Sequence, residues 1–145
     1  MIQLHFSPSS AAMAPHFLLR ELDLPHELVR VDVAGGEHRR EPYLQLNPNG
    51  QIPVLVDGDL VLHQTAAILL HLSDQAGRLL PAVGTRERAL AYQWLIWLTN
   101  TLQPALINYF YPERWDAERP AQIKAQAEAK VLAMLQQLDD QLARH

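Results

Sequence analysis

Asn47-Pro48-Asn49-Gly50-Gln51-Ile52-Pro53-Val54-Leu55 runs into Val56-Asp57-Gly58-Asp59-Leu60-Val61-Leu62-His63-Gln64-Thr65. Asn-Pro-Asn-Gly is dense turn chemistry, because each residue type favours a reversal over a helix or strand. Beyond it, the apolar runs Pro53–Val56 and Leu60–Leu62 flank Asp57-Gly58. Asp-Gly between two such runs predicts a hairpin, so these two strands are expected to be antiparallel. Thr65–Ser73 then reads as a helix with Ile68, Leu69 and Leu72 on its buried face.

Upstream, Ile2–Phe6 alternates as a short strand. Ala11–Leu22 carries Met13, Phe17, Leu18 and Leu22 at helical spacing. Pro15 falls in the first turn, where proline is tolerated. Leu28, Val29, Val31 and Val33 make Glu27–Val33 a second strand. A helix between two short strands predicts a parallel unit with a right-handed crossover. Gly35-Gly36 and the charged run Glu37–Glu41 read as an exposed loop, and Tyr43–Leu46 as a short helix. Residues 1–80 are thus expected to form an α/β domain of order β-α-β, then β-β-α, on a mixed sheet.

Downstream the strands stop. Arg78–Gly84 reads as a linker, and Thr85 is placed to cap a long helix. Leu90, Trp94, Trp97, Leu98 and Thr101 continue its spacing until Pro104, which is expected to kink or break it. Ala121–Ala143 is a last helix with Val131, Leu135, Leu138 and Leu142 on one stripe. Residues 85–145 therefore read as an all-α domain. One kinked helix cannot cover the whole stripe. The domain is expected to be truncated, or its stripe to meet another chain.

Composition narrows the chemistry. The 145 residues are 48% hydrophobic and 19% charged, with net charge −4, which is globular and lacks the basic balance of a nucleic-acid binder. No apolar run approaches the ~18 residues of a membrane span. The start Met1–Ser10 has no basic flank, so it does not read as a signal peptide and the cytoplasm is the expected compartment. There is no cysteine, which excludes disulfide scaffolds and dithiol redox chemistry carried by the chain itself. The seven histidines show no metal-ligand spacing, so no metal is expected.

The stretch 47–55 fits the pattern Asn-Pro-x-Gly-Gln-Ile/Val-Pro-x-Leu. With the hairpin and the polar pair Gln64-Thr65 opening a helix, it resembles the glutathione transferase family. Phe6-Ser7-Pro8, Ala14-Pro15-His16 and Glu27–Asp32 extend the resemblance across residues 1–80. It is nearest to the beta class or a neighbouring unassigned bacterial group. Residues 85–145 resemble the first helices of the family's helical domain, through Pro104-Ala105 and Tyr111-Pro112-Glu113-Arg114-Trp115. On this resemblance the last helices usual in the family are expected to be missing from residues 85–145. The resemblance implies a thioredoxin-like domain followed by an all-helical one, and usually a homodimer.

It also implies a site. In thioredoxin-like folds the proline matching Pro53 is cis. This would turn the Ile52 N–H and C=O outward, to pair with the cysteinyl residue of glutathione by strand addition. Gln64 and Thr65 match the pair that binds the γ-glutamyl carboxylate, at a helix N-terminus whose free N–H groups favour an anion. Gln51 is a candidate for the glycine carboxylate. Arg39 and Arg40 are read as solvated. The activating serine of theta- and zeta-like members falls on Ser9, with Ser10 next to it. Either serine can instead simply cap the helix. The beta-class cysteine position holds Ala11, and its histidine position holds Gln103. Trp94, Trp97, Tyr109, Phe110 and Trp115 are candidates for an apolar second-substrate pocket, or for core or a dimer face. The expected function is transfer of glutathione, as co-substrate, onto a small electrophile held between the domains. The alternative is a non-catalytic binding module of the same fold.

Overall fold

The computed structural model describes residues 1–144; His145 lies outside the described residues. The first compact unit runs over Met1–Arg88. It contains β1 (Ile2–Phe6), α1 (Met13–Glu21), β2 (His26–Arg30), a 3-10 turn (Glu37–Arg39) and α2 (Tyr43–Leu46), then β3 (Val54–Asp57), β4 (Leu60–His63) and α3 (Thr65–Ala76). The sheet order is β2-β1-β3-β4, with β1 and β2 parallel and the other pairs antiparallel. This is the thioredoxin-like mixed sheet.

Strand alternation sends side chains to two layers. Ile2, Leu4 and Leu55 point to one face, where Leu19 and Leu22 of α1 and Ile68 and Leu72 of α3 complete a core. Val54 points to the other face and packs with Val31 and Tyr43 under α2. Leu4, Leu19, Leu55, Ile68 and Leu72 have no exposed surface, and burying each such side chain contributes roughly 1.5–3 kcal/mol.

β2 ends at Arg30 rather than continuing to Val33. The backbone leaves the ladder because Asp32 and Glu37 close a loop of their own. Glu37 accepts from the Asp32 N–H at 2.6 Å, and Asp32 accepts from the Gly35 N–H at 2.8 Å.

The second unit begins at Ala89, inside α4 (Arg86–Trp97). The Thr85 hydroxyl accepts from the Arg88 N–H at 3.2 Å, which is the expected cap. The helix does not run evenly to Pro104. Leu98–Leu102 widens into a π-helical turn, where the Gln103 N–H reaches the Leu98 carbonyl. Pro104 has no N–H for a regular bond one turn back, and the wide turn accommodates that loss. α5 (Gln103–Phe110) then packs along α6 (Pro120–Leu142). Ala127 and Val131 are buried, whereas Leu135 and Leu142 further along the stripe are 45% and 68% exposed. Among the described residues no helix is long and apolar enough to cross a membrane.

Candidate functional site

The register of β1, β3 and β4 gathers three loops. His5 pairs with Val54, and Val54 with His63. Continuing the antiparallel register by one residue sets Phe6 beside Pro53, and Pro53 beside Gln64. The β1–α1 turn with Ser9 and Ser10, the Ile52-Pro53 segment and the Gln64-Thr65 helix start therefore leave the sheet at one end. Ser9, Ser10, Ile52, Pro53, Gln64 and Thr65 lie on these segments and Gln51 directly precedes one of them, whereas Trp94, Trp97, Tyr109, Phe110 and Trp115 belong to the second unit.

The Ile52–Pro53 bond is cis, as expected, and so is Glu41–Pro42, which the sequence reading did not anticipate. Ile52 precedes β3 and neither its N–H nor its C=O enters the sheet ladder. Gly50 closes the turn before it with φ 58°. A β-carbon there would stand 2.9 Å from the His38 carbonyl, so both the backbone conformation and the close approach require glycine.

Two buried donors hold the next carbonyl. The Tyr43 hydroxyl and the Asn47 amide each donate to the Gln51 carbonyl at 2.8 Å. Asn47 also accepts from the Asn49 N–H at 3.1 Å, which fixes the turn. Burial, with Glu37 adding to it, pushes the Tyr43 hydroxyl up to about 12, so it stays a donor at neutral pH. His5 touches Tyr43 edge-on, with ring centroids 6.0 Å apart. Burial lowers its pKa, against the raising influence of Glu37 and Glu27. The sequence reading missed both donors. Asn47 was seen as a turn former and Tyr43 as a helix residue, and only the fold brings them to one carbonyl.

Gln64 adopts φ 75° and ψ 115°, a conformation rare for a residue with a side chain. Such strain marks positions held by function or by their surroundings. The first bond of α3 runs from the Ile68 N–H to the Gln64 carbonyl, and no side chain caps the helix. The N–H groups of Thr65, Ala66 and Ala67 therefore precede the helical ladder and form a ready anion site.

The two serines differ. Ser10 donates to the Ser7 carbonyl at 2.6 Å and accepts from the Ala12 N–H at 3.2 Å, so its single proton is committed to the turn. Ser9 is exposed, with φ 54°, and its hydroxyl makes no hydrogen bond within the described residues. The nearby arginines also differ. Arg40 turns back onto the Gly35 and Gly36 carbonyls, whereas the stem of Arg39 lies beside Gly50. Gln103 is exposed at the start of α5.

The site can be set against known proteins. The glutathione S-transferase N-terminal domain matches residues 1–74. The chain is 35% identical over 128 residues to the uncharacterized GST-like protein YncG of Escherichia coli K12, across 86% of this chain and 62% of that protein. It is 36% identical over 113 residues to the disulfide-bond oxidoreductase YfcG of the same organism, across 73% and 52% respectively. A glutathione transferase family member from Pseudomonas fluorescens Pf-5, crystallised with two glutathione bound, superposes with TM-score 0.84 at 27% identity, across 98% of this chain and 66% of that one. The chain thus spans from about half to less than two-thirds of these two curated relatives. The match over more than half of the sequence, on the sheet and helices just described, makes this chain a member of the glutathione S-transferase family.

Proposed function

We propose that the chain binds glutathione along the shared end of β1, β3 and β4 and adds its thiolate to a small electrophile. The observation supporting this reading is that the Ile52 backbone, the open N–H groups at Thr65–Ala67 and Ser9 lie on segments leaving the same end of the sheet, with none of these groups bonded elsewhere among the described residues. Ile52 and Pro53 hold the cysteinyl backbone in extended form. Gln64 and Thr65 receive the γ-glutamyl carboxylate. Gln51 is assigned to the glycine carboxylate. Ser9, whose proton is not already used, donates to the sulfur and favours the thiolate. Each unit by which the thiol pKa falls is worth about 1.36 kcal/mol. The thiol proton passes to solvent, the thiolate forms the new carbon–sulfur bond, and the leaving group departs with the displaced electron pair.

The active form is proposed to be a homodimer. Leu132, Leu135, Leu142 and Trp115 of the second unit are between 45% and 68% exposed, and a second chain would cover this apolar surface.

Retention on immobilised glutathione, followed by conjugation of a chloronitrobenzene, tests the proposal. Retention with turnover supports it. Retention without turnover supports the non-catalytic module instead.

One observation favours a second chemistry on the same ligand, since the relative YfcG is named a disulfide-bond oxidoreductase. This chain has no cysteine, so both thiols would come from glutathione. The first thiolate attacks a disulfide sulfur, breaks the S–S bond and expels a thiolate that takes up a proton. A second glutathione thiolate attacks the glutathione sulfur of the mixed disulfide, forms glutathione disulfide and expels the remaining substrate thiolate, which takes up a proton. Reduction of a hydroxyethyl disulfide, measured beside conjugation, separates the two chemistries.

A further inference from the structure

The glutathione reading assigns the Ile52 backbone to the ligand but does not say what aims it. Three observations bear on that. The Gln51 carbonyl accepts two hydrogen bonds, from the Tyr43 hydroxyl and from Nδ2 of Asn47, each at 2.8 Å. Two bonds fill both lone pairs of a carbonyl oxygen. Both donors are buried, Tyr43 at 4% and Asn47 at 3% exposure, so neither exchanges freely with water. The Gln51–Ile52 peptide is not among the cis bonds.

A trans peptide is planar, with its C=O and N–H pointing in opposite directions. Pinning the Gln51 oxygen toward α2 therefore drives the Ile52 N–H away from α2. The clamp is itself anchored. The Tyr43 ring packs with Val31 and Val54 and meets the edge of His5, so the hydroxyl position is set by the sheet. Asn47 is tied at its other end, where Oδ1 accepts from both nitrogens of Asn49 and its carbonyl accepts from the Gly50 N–H at 2.9 Å.

We propose that Tyr43 and Asn47 are positioning residues for glutathione: they clamp the Gln51 carbonyl and so hold the Ile52 N–H in the direction that receives the cysteinyl carbonyl. This rests on the reading that glutathione adds as a strand at Ile52. Neither side chain touches the ligand. Without the clamp the Gln51–Ile52 peptide can rotate, and binding must then order it.

The test compares Tyr43→Phe, which removes only the hydroxyl, and Asn47→Asp, which keeps the acceptor for Asn49 and removes the donor. Glutathione affinity is measured by calorimetry. Exchange of the Ile52 amide is followed by NMR, with and without saturating glutathione. In the unaltered protein glutathione binds and slows Ile52 amide exchange. Each substitution is expected to weaken glutathione binding about five- to tenfold, the scale of one lost hydrogen bond, and to leave the Ile52 amide less protected at saturation. A protein with lower thermal stability but unchanged affinity and full Ile52 protection has lost only a structural bond, and this would overturn the proposal. If a variant fails to fold, the Ile52 measurement on the unaltered protein still decides. Binding without protection of that amide overturns the clamp's role and leaves the glutathione site standing, whereas absence of glutathione binding overturns the site itself.

Discussion

Arg88 grips Asp74 with Nη2, at 2.7 and 2.9 Å from the two carboxylate oxygens, while Nη1 donates to the Pro81 carbonyl at 3.0 Å. Arg88 is buried and the Asp74 side chain is 50% exposed, so the pair fastens the first turn of α4 to the end of α3 at the edge of solvent. Asp74→Asn keeps the shape but weakens a charge-assisted bond to a buried cation. It is expected to lower unfolding free energy by about 1.5–3 kcal/mol, read from urea denaturation, with glutathione affinity unchanged. A loss below a few tenths would show that the pair contributes little.

The two serines should separate in function. Ser9→Ala is expected to leave glutathione affinity nearly intact, to raise the pKa of the bound thiol toward its solution value and to slow turnover at neutral pH. Ser10→Ala removes both bonds of the turn before α1 and should cost about 0.5–2 kcal/mol of stability, with the thiol pKa unmoved. Spectroscopic titration of the bound thiolate checks both. Identical titrations for Ser9→Ala and the unaltered protein would remove Ser9 from the chemistry.

Thr65→Val preserves shape and deletes a hydroxyl at the open end of α3. Glutathione binding should weaken by about 1–2 kcal/mol, about five- to thirtyfold, with the melting temperature close to normal. Equal affinity by calorimetry would show that the backbone N–H groups receive the carboxylate without the hydroxyl.

Two shifted groups on one face give opposite pH limbs. His5 has a lowered pKa in the folded chain because burial disfavours its cation. The unfolded chain therefore takes up the proton first, and stability should fall as pH drops below the ordinary histidine value near ~6.5. Tyr43 is raised to about 12, so the unfolded chain loses its proton first and stability should fall as pH rises from 10 toward 12. Urea midpoints across pH test this. His5→Gln should flatten the acid limb, and Tyr43→Phe the alkaline one.

The fold was legible because its periodicities are short and clean. Asp57-Gly58 between Val56 and Leu60 marked the hairpin, and Ile68 with Leu72 marked the core face of α3. The helix start at Thr65 and the turn closing on Gly50 were visible for the same reason. Less legible was whatever depends on distant partners. Nothing local in Val31 to Val33 says that the strand has ended, since Asp32 and Glu37 decide that by bonding each other's backbone. The π-helical turn before Pro104 adjusts to a missing donor, and no periodicity reports it. At the site, Ile52, Pro53, Gln64 and Thr65 stood out as motif residues. The family resemblance put Ser9 ahead of Ser10, but no local pattern could show that the Ser10 hydroxyl is already bonded within the turn while that of Ser9 is not. Tyr43 and Asn47 were hidden as site residues because both act on a backbone carbonyl, which has no letter of its own in the sequence.

The proposed homodimer can be tested directly. Light scattering on purified protein is expected to give twice the mass of one chain. A stable monomer at high concentration would mean that Leu132, Leu135 and Leu142 tolerate water.

The most direct test of the whole account is an amide-resolved NMR titration of the intact chain with reduced glutathione. The account predicts saturable shifts at Ile52, at Thr65 to Ala67 and in the Ser7–Ser10 turn, at one common affinity. Shifts confined to residues beyond Ala89, or no saturable shift at all, would contradict it.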